Sequence, residues 1–187
     1  MSPFYSVSEE LITMIEKLKI QDFSRVYELM EMSFPSDEYR PYDEQKALLS
    51  NPAYSIYGLY TESQDIKAFI AVWDFNEFAF IEHFAVNPKH RSGGIGAYVL
   101  SELLKLLSKT VCLEVEPPET EIARRRIGFY QRNHFFLNEY PYMQPPISQG
   151  KKAIPLFIMT SGSKVDEGTF EKIKGSLYAK VYKLETT

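Results

Sequence analysis

The sequence predicts an α/β fold of the α+β kind, with a mixed, mostly antiparallel sheet of about seven strands and helices on both faces. Three observations predict it. Strand-like segments separated by turn residues follow one another over 54–86, which is typical of an antiparallel meander. An amphipathic helix and a short strand come next, and such a strand–helix–strand step implies parallel pairing through a right-handed crossover. Hydrophobic residues make up 44% of the chain and aromatic residues 14%, which is enough to fill the core of such a domain.

The first half of the chain supplies a strand, two helices and the meander. A first strand is predicted at Met14–Leu18, and a helix follows from Asp22, a residue type that caps helix N-termini, to Ser33. Pro35 ends this helix because proline cannot continue it. The next predicted elements are a helix from about Asp43 to Ser50 and strands at Tyr54–Tyr60, Lys67–Asp74 and Phe78–Val86.

The second half supplies the crossover and the end of the sheet. A helix over Gly94–Lys109 carries its leucines on one face, and Val111–Val115 is a short strand. The remaining predictions are a helix at about Thr120–Arg132, strands at Phe135–Asn138 and Ile154–Thr160 joined by a Pro- and Gly-rich loop over 141–153, and an extra C-terminal helix at about 166–182. No segment has the composition of a linker, so residues 1–187 are predicted to form a single domain with a loose arm at 1–11.

Composition and charge exclude several classes of function. The chain has 21 basic and 25 acidic residues, and this net charge of −4 counts against a nucleic-acid partner, because duplex DNA binds a positive surface. The first residues lack a signal-peptide pattern and no apolar run reaches the roughly 18 residues of a membrane span, so we expect a cytoplasmic protein without a membrane partner. The single cysteine, Cys112, fits a reducing compartment, and three histidines without ligand spacing predict no metal site.

The segment from Val86 to Gly96 carries the chemistry. A strand ends at Val86, a short turn follows, and a helix opens at a group of glycines. Helix N-termini present unpaired N–H groups and a positive dipole end, and glycine lets an anion approach the backbone. The pattern predicts a pyrophosphate cradle, although a simple tight turn would explain the same glycines. Two other phosphate loops do not match: Ala97-Tyr98 replace the Lys-Ser/Thr of a Walker loop, and Val99 replaces the third glycine of the dinucleotide fingerprint.

The full sequence of this segment is Val86-Asn87-Pro88-Lys89-His90-Arg91-Ser92-Gly93-Gly94-Ile95-Gly96. It resembles the acetyl-coenzyme A signature of the GNAT superfamily of N-acetyltransferases. A second block, Ile127–Phe135, is similar to the later helix and strand of that family. The order of elements also matches over about 14–160. The resemblance implies the GNAT (acyl-CoA N-acyltransferase) fold, with acetyl-CoA as cosubstrate. It further implies transfer of an acetyl group to the primary amine of a small molecule or peptide.

One residue departs from the family pattern. His134 stands where the family most often has glycine, at the end of the second block's helix. A left-handed backbone there costs a residue other than glycine about 1 kcal/mol, although histidine tolerates it better than most. The departure affects the expected local turn and leaves the expected fold unchanged.

The resemblance also implies which residues bind the coenzyme. The backbone N–H groups of the glycine turn would bind the pyrophosphate, and the arginine of the signature would add charge. The main chain at the end of the preceding strand would pair with the pantetheine arm like an added strand. The residues concerned are Phe84, Ala85, Val86, Arg91, Ser92, Gly93, Gly94, Ile95 and Gly96.

Two catalytic residues are assigned in the same way. Tyr130 matches the family tyrosine near the thioester sulfur, the usual general acid, and its alternative role is packing. Glu82 is the leading base, because period two places it on the same strand face as Phe84 and Val86, and a carboxylate in an apolar strand is costly to bury without a purpose. The alternative is a glutamate held by a neighbouring arginine or hydroxyl. His83 is expected on the opposite face as a buried neutral histidine.

The acceptor site is expected at the first helix pair and the last hairpin. Residues there that would suit a cationic or aromatic amine are Phe34, Glu38, Tyr142 and Gln144, although they would equally serve to pack the loops. Two other functions stay open: a non-catalytic acyl-CoA-binding or sensing module with the same cradle, and a nucleotide-phosphate binder. The identity of the amine and the formation of a homodimer are open as well.

Overall fold

The computed structural model describes residues 14–91 and 93–184, and in this part of the chain seven strands form one sheet in the order β1-β2-β3-β4-β5-β7-β6. All neighbouring strands are antiparallel except β4 and β5, which are parallel. The predicted fold class is therefore confirmed. The predicted arm at 1–11 and Ser92 lie outside the described residues.

The elements follow the predicted order along the chain. The strands are β1 Glu16–Lys17, β2 Tyr54–Tyr60, β3 Ile66–Asp74, β4 Ala79–Val86, β5 Val111–Val115, β6 Phe135–Gln144 and β7 Ile154–Ser161. The α-helices are α1 Phe23–Ser33, α2 Tyr42–Ala47, α3 Ile95–Leu107, α4 Glu121–Arg132 and α5 Glu167–Lys180. Short 3₁₀ turns lie at 20–22, 36–38, 48–50 and 88–90. No helix in the described part of the chain has the length and apolar character needed to cross a membrane.

The sheet separates two apolar cores. Because side chains alternate along a strand, β3 sends Phe69 and Trp73 into one core and Ile70 and Val72 into the other. The first core, which we call the α1/α5 side, is completed by residues of those two helices. The second core, the α3/α4 side, is completed by residues of α3 and α4. Helices cover both faces of the sheet for this reason.

A left-handed glycine starts the crossover helix α3. Gly94 has φ +74°, a backbone conformation that side chains rarely adopt, and the helix begins at the next residue. A Cβ added to Gly96 would lie 3.2 Å from the ring of Phe129 in α4, so this glycine allows the two helices to pack closely. The glycines of the turn thus have defined structural roles as well as the predicted binding role.

A β-bulge interrupts strand β4 at Glu82. Ala71 of β3 pairs with His83 but Val72 pairs with Ile81, so Glu82 is the extra residue and the alternation changes there. The predicted placement of Glu82 on the face of Phe84 is therefore wrong, whereas His83 lies on the face opposite to Phe84, as predicted. Both side chains lie on the α1/α5 side, where His83 Nδ1 is 3.5 Å from Glu82 Oε2. Side chains alternate strictly between the two faces only in a regular strand, and the bulge interrupts this alternation.

Strand β6 is longer than predicted. The loop was expected to begin at Pro141, but pairing with β7 resumes at Tyr142 opposite Leu156 and continues to Gln144. Residues 139–141 form an irregular stretch between the two paired parts of the strand. Proline lacks an N–H for the ladder, and it is accommodated where the ladder is already interrupted.

Three helix ends show how local chemistry starts and stops the helices. Asp166 caps α5 by accepting a hydrogen bond from the N–H of Thr169 at 2.7 Å. His134, just after α4, has φ +65°, the left-handed conformation that the family's glycine would adopt. Asp22 precedes α1 as predicted, but its carboxylate pairs with Arg25 at 2.6 Å instead of capping the helix.

Candidate active site

The parallel strands β4 and β5 separate and leave a cavity between them. They pair only from Ala79–Ile81 to Val111–Leu113, although β4 continues to Val86 and β5 to Val115. A cavity of about 750 Å³ opens where pairing ends, and both diverging strand ends line it. Its volume is typical of sites for small molecules and cofactors.

The predicted coenzyme residues border one end of this cavity. Its lining includes all three predicted residues at the end of β4 together with Arg91, Gly94, Ile95 and Gly96. Gly93, with φ +81°, belongs to the turn but does not line the cavity, and Ser92 is outside the described residues. The space beside Gly93 and Gly94 is open, since an added Cβ would have no neighbour within 4 Å. An open space at a helix N-terminus fits a phosphate group.

Tyr130 approaches the cavity from the α3/α4 side. It lies on α4, is 8% exposed and packs against the rings of Phe129 and Phe135. Burial raises the pKa of its hydroxyl to about 12, although the positive charge of Arg126 opposes the rise. The hydroxyl therefore keeps its proton at neutral pH, as a general acid requires. It makes no hydrogen bond to any other described residue and lines the cavity.

Glu82 lies on the other side of the sheet in a buried ion pair. Its Oε1 accepts a hydrogen bond from Arg40 Nη1 at 2.8 Å, and the side chains of Glu82 and Arg40 are 2% and 6% exposed. Burial by itself would raise the pKa of Glu82, but Arg40 and the nearby His83 outweigh it, so the pKa is lowered to about 2. Arg40 also donates to the backbone oxygen of Val181 at 3.2 Å. This is the alternative stated above, a glutamate held by an arginine.

His83 is fixed by the segment that follows α1. Its Nε2 is 2.8 Å from the backbone oxygen of Glu38, and its ring packs edge-on against Phe34 at a centroid distance of 5.0 Å. The residue is 2% exposed, as expected for a buried histidine, but it faces the cavity lining beside Glu82. Nδ1 of His83 has no hydrogen-bond partner among the described residues.

Glu114 is a cavity residue that the sequence analysis did not assign. It lies on β5 directly after the last residue paired with β4, and it lines the cavity. The hydroxyls of Tyr142 and Tyr182 both donate to its carboxylate, Tyr182 at 2.8 Å from each oxygen. Burial raises the pKa of Glu114 to about 7, against the lowering effect of the two tyrosine hydrogen bonds. The sequence does contain one indication of this residue, because Glu114 is the only charged residue in an otherwise apolar five-residue strand.

The predicted acceptor residues are only partly brought together. Phe34, Glu38 and Gln144 line the cavity on the α1/α5 side. Gln144 is 4% exposed, and its Nε2 has no hydrogen-bond partner among the described residues. Tyr142 does not line the cavity, and its hydroxyl donates to Glu114, which does. The two sides of the cavity thus differ: glycines and Tyr130 on one, carboxylates and an amide on the other.

Comparisons with known proteins agree with this architecture. The model of the Acetyltransferase (GNAT) family matches residues 23–135. A protein from Bacteroides thetaiotaomicron described as an acetyltransferase of the GNAT family is 34% identical, with a TM-score of 0.84 over 91% of this chain and 99% of that one. A search of curated protein sequences gives no match.

Two more distant structures share the fold alone. The ribosomal-protein-S18-alanine N-acetyltransferase of Escherichia coli is 20% identical, with a TM-score of 0.61 over 82% of this chain and 96% of that one. A mutant of the spermidine N-acetyltransferase of Vibrio cholerae is 13% identical, with a TM-score of 0.57 over 78% and 91%. The match of the family model to more than half of the chain, together with the 34% identical structure, is sufficient to assign the family. The chain belongs to the GNAT family of acetyltransferases.

Proposed function

We propose that this protein transfers the acetyl group of acetyl-CoA to the primary amine of a small molecule or peptide by direct attack. The observation that carries the proposal is the cavity itself. The glycine turn at the start of α3, the open edges of β4 and β5, and Tyr130 all border the same 750 Å³ space. One bound molecule could therefore reach a phosphate site, a strand edge and a proton donor at once.

The coenzyme has a natural place along β4. The other edge of this strand pairs with β3 as far as Val86, but the edge that faces β5 is unpaired beyond Ile81. Backbone groups at Phe84, Ala85 and Val86 are therefore available to the amides of the pantetheine arm. The N–H groups at the start of α3, with Arg91 beside them, would bind the pyrophosphate.

The chemistry requires two proton transfers. The acceptor nitrogen must lose a proton before it attacks the thioester carbon, and the departing thiolate must gain one. Tyr130 is the proposed acid, because its hydroxyl is protonated at neutral pH and the residue lines the cavity. The base role of Glu82 stays a prediction. The ion pair with Arg40 and the pKa of about 2 count against direct proton abstraction by this carboxylate.

The acceptor end favours an amine. The carboxylates of Glu38 and Glu114, which have no ion pair among the described residues, lie along the lining on this side, and a cation is attracted to such a surface. The two distant structures bear the names of N-acetyltransferases for an alanine of ribosomal protein S18 and for spermidine, both of them amines. A small-molecule or peptide amine is consistent with both names.

Thermal unfolding with and without ligand tests the donor site. Acetyl-CoA at one hundred times its dissociation constant should stabilise the fold by about 2.7 kcal/mol, a shift of roughly 5–10 °C for a chain of this size. ATP and NAD at the same concentrations serve as controls. A shift with ATP or NAD that equals the shift with acetyl-CoA would favour a general nucleotide-phosphate binder.

Thiol release then tests the transfer. Acetyl-CoA is incubated with polyamines, amino acids, alanine-initiated peptides and aromatic amines, and free coenzyme A is measured. Amine-dependent release establishes the transferase. Tight acetyl-CoA binding without release from any of these amines would instead identify a non-catalytic acyl-CoA-binding module.

A further inference from the structure

The cavity contains four glutamates, and they differ in how their charge is balanced. Glu82 pairs with Arg40 at 2.8 Å, and the more exposed Glu116 pairs with Arg126 at 3.3 Å. Glu38 and Glu114 have no ion pair within residues 14–91 and 93–184. A carboxylate without a cation is the better proton acceptor, because no positive charge holds it in the ionised form.

Glu114 is held in place and Glu38 is not. Two tyrosine hydroxyls donate to the Glu114 carboxylate, whereas the carboxylate of Glu38, on a 3₁₀ turn, accepts no hydrogen bond from any described residue. A general base must be positioned within hydrogen-bond reach of its proton. Of the two unpaired carboxylates, Glu114 is the one whose position is fixed by hydrogen bonds.

Glu114 also lies opposite the proposed acid. Along β5, Leu113 and Val115 pack on the α3/α4 side, the core that contains Tyr130. Glu114 lies between them in sequence and meets Tyr142 and Tyr182, which belong to the core of the α1/α5 side. The open strand gap connects the two faces at this level. An acid on one face and a base on the other would therefore flank a thioester placed in the gap.

The chain after the C-terminal helix also contacts these glutamates and their partners. Tyr182 is the second residue after α5 and is 7% exposed, and its hydroxyl contacts both carboxylate oxygens of Glu114, which is 68 positions earlier in sequence. The carbonyl of Val181 beside it accepts the hydrogen bond from Arg40. The same short segment thus contacts the arginine that neutralises Glu82 and the carboxylate of Glu114.

We propose that Glu114 accepts the proton of the acceptor amine and that Tyr182 is a positioning residue that holds and tunes it. This inference rests on the proposed acetyl transfer. The acceptor's ammonium form gives one proton to Glu114, and the free amine then attacks the thioester carbonyl to form the C–N bond. As the C–S bond breaks, Tyr130 gives its proton to the sulfur. The second proton lost by nitrogen returns through solvent to Tyr130, and Glu114 releases the first, so one proton leaves per turnover.

The charged and titratable groups around Glu114 determine its pH dependence. The hydroxyls of Tyr142 and Tyr182 lower its pKa, whereas burial and the negative charges of Glu82 and Glu38 raise it. Cys112 on the same strand is buried and has a raised pKa, so it stays neutral. Removing a tyrosine hydroxyl should therefore raise the pKa of Glu114, and removing the charge of Glu82 should lower it.

The experiment measures kcat/KM against pH from 5 to 9, with the best amine of the thiol-release panel as probe. For the wild type we expect a limb that rises with pH through about 7, since kcat/KM reports ionisations of the free enzyme. Glu114→Gln should lose the limb and about 10²–10⁴-fold of kcat/KM while the Kd for acetyl-CoA stays within twofold. Glu102→Gln, a glutamate of α3 that lies outside the cavity, is the matched control.

Tyr182→Phe separates positioning from general packing. Loss of a hydrogen bond to a charged group should move the limb upward by about one pH unit. Tyr178→Phe, in the last turn of α5, is the nearby control, because its hydroxyl donates to the backbone oxygen of Met143 and not to Glu114. An unchanged limb in Tyr182→Phe would overturn the positioning role.

The outcomes separate this inference from the proposed function. If the wild type transfers acetyl to none of the amines, the proposed function fails, and the inference fails with it. If the wild type transfers and Glu114→Gln keeps both the rate and the limb, only the inference fails. If the limb disappears in Glu82→Gln instead, the base is Glu82. A limb that persists in Glu82→Gln and shifts to lower pH supports Glu114.

Discussion

At the scale of single residues, the hydroxyl of Tyr130 has two features that a proton donor needs. It faces the cavity, and burial among apolar groups raises its pKa to about 12, so the donor form predominates at neutral pH. Its ring packs between Phe129 and Phe135, which leaves it little freedom to move. The sequence could predict this residue because it belongs to a block of consecutive residues that matches the family.

Tyr130→Phe removes the proton donor and keeps the ring. We expect kcat to fall by about 10²–10⁴-fold, the usual contribution of a general acid, with little change in the Kd for acetyl-CoA. Steady-state thiol release and calorimetric titration of acetyl-CoA measure the two quantities. Full activity in the phenylalanine variant would mean that Tyr130 serves only to pack the coenzyme or the core.

At the scale of elements, Arg40 connects three separate parts of the chain. It precedes α2, pairs with Glu82 at the bulge of β4 and donates to Val181 after α5. The sequence did not predict the bulge, and it left open an arginine partner for Glu82 without identifying Arg40. A bulge depends on how two strands fit together, and Arg40 lies in a segment that resembles an ordinary loop.

Arg40→Met should therefore destabilise the fold by about 3–5 kcal/mol, because the buried charge of Glu82 would lose its partner. Urea unfolding measures the free energy of unfolding. The double variant Arg40→Met with Glu82→Met should recover most of this loss, since both charges are then absent.

A surface pair provides the control for the Arg40 prediction. Arg125 and Glu121 form an ion pair at 2.5 Å, but their side chains are 78% and 70% exposed. Arg125→Met should cost less than about 1 kcal/mol. Equal effects of the two arginine variants would show that burial of the Glu82 pair adds nothing to its contribution.

At the scale of the whole molecule, the sequence predicted what local patterns determine. The meander, the crossover and the glycine turn of Gly94 each follow from residues close together in the chain. The extension of β6 beyond Pro141 could not be predicted, because it depends on a partner strand. The contact of Tyr182 with Glu114 joins residues 68 positions apart, and no local pattern indicates it. The sequence could therefore name Glu38, Glu82 and Gln144 as candidates, whereas the role of Glu114 and its tyrosine partners required the fold.

The stability of the whole fold should depend on pH through Glu114. Its pKa is raised to about 7 in the folded chain from an ordinary value of 4.5, so between these values the folded chain keeps a proton that the unfolded chain releases. The free energy of unfolding should accordingly fall as pH rises from 5 to 8, by up to about 3 kcal/mol. Glu82 changes the free energy of unfolding with the opposite sign and in another pH range. Because its pKa is lowered to about 2, the stability that its charged form contributes is lost only as pH falls from about 4.5 towards 2. Glu114→Gln should match the wild type near pH 5 and exceed it at pH 8 in urea unfolding, whereas Glu102→Gln should follow the wild-type curve. Parallel curves for the wild type and Glu114→Gln over this range would show that the carboxyl group titrates normally in the folded protein.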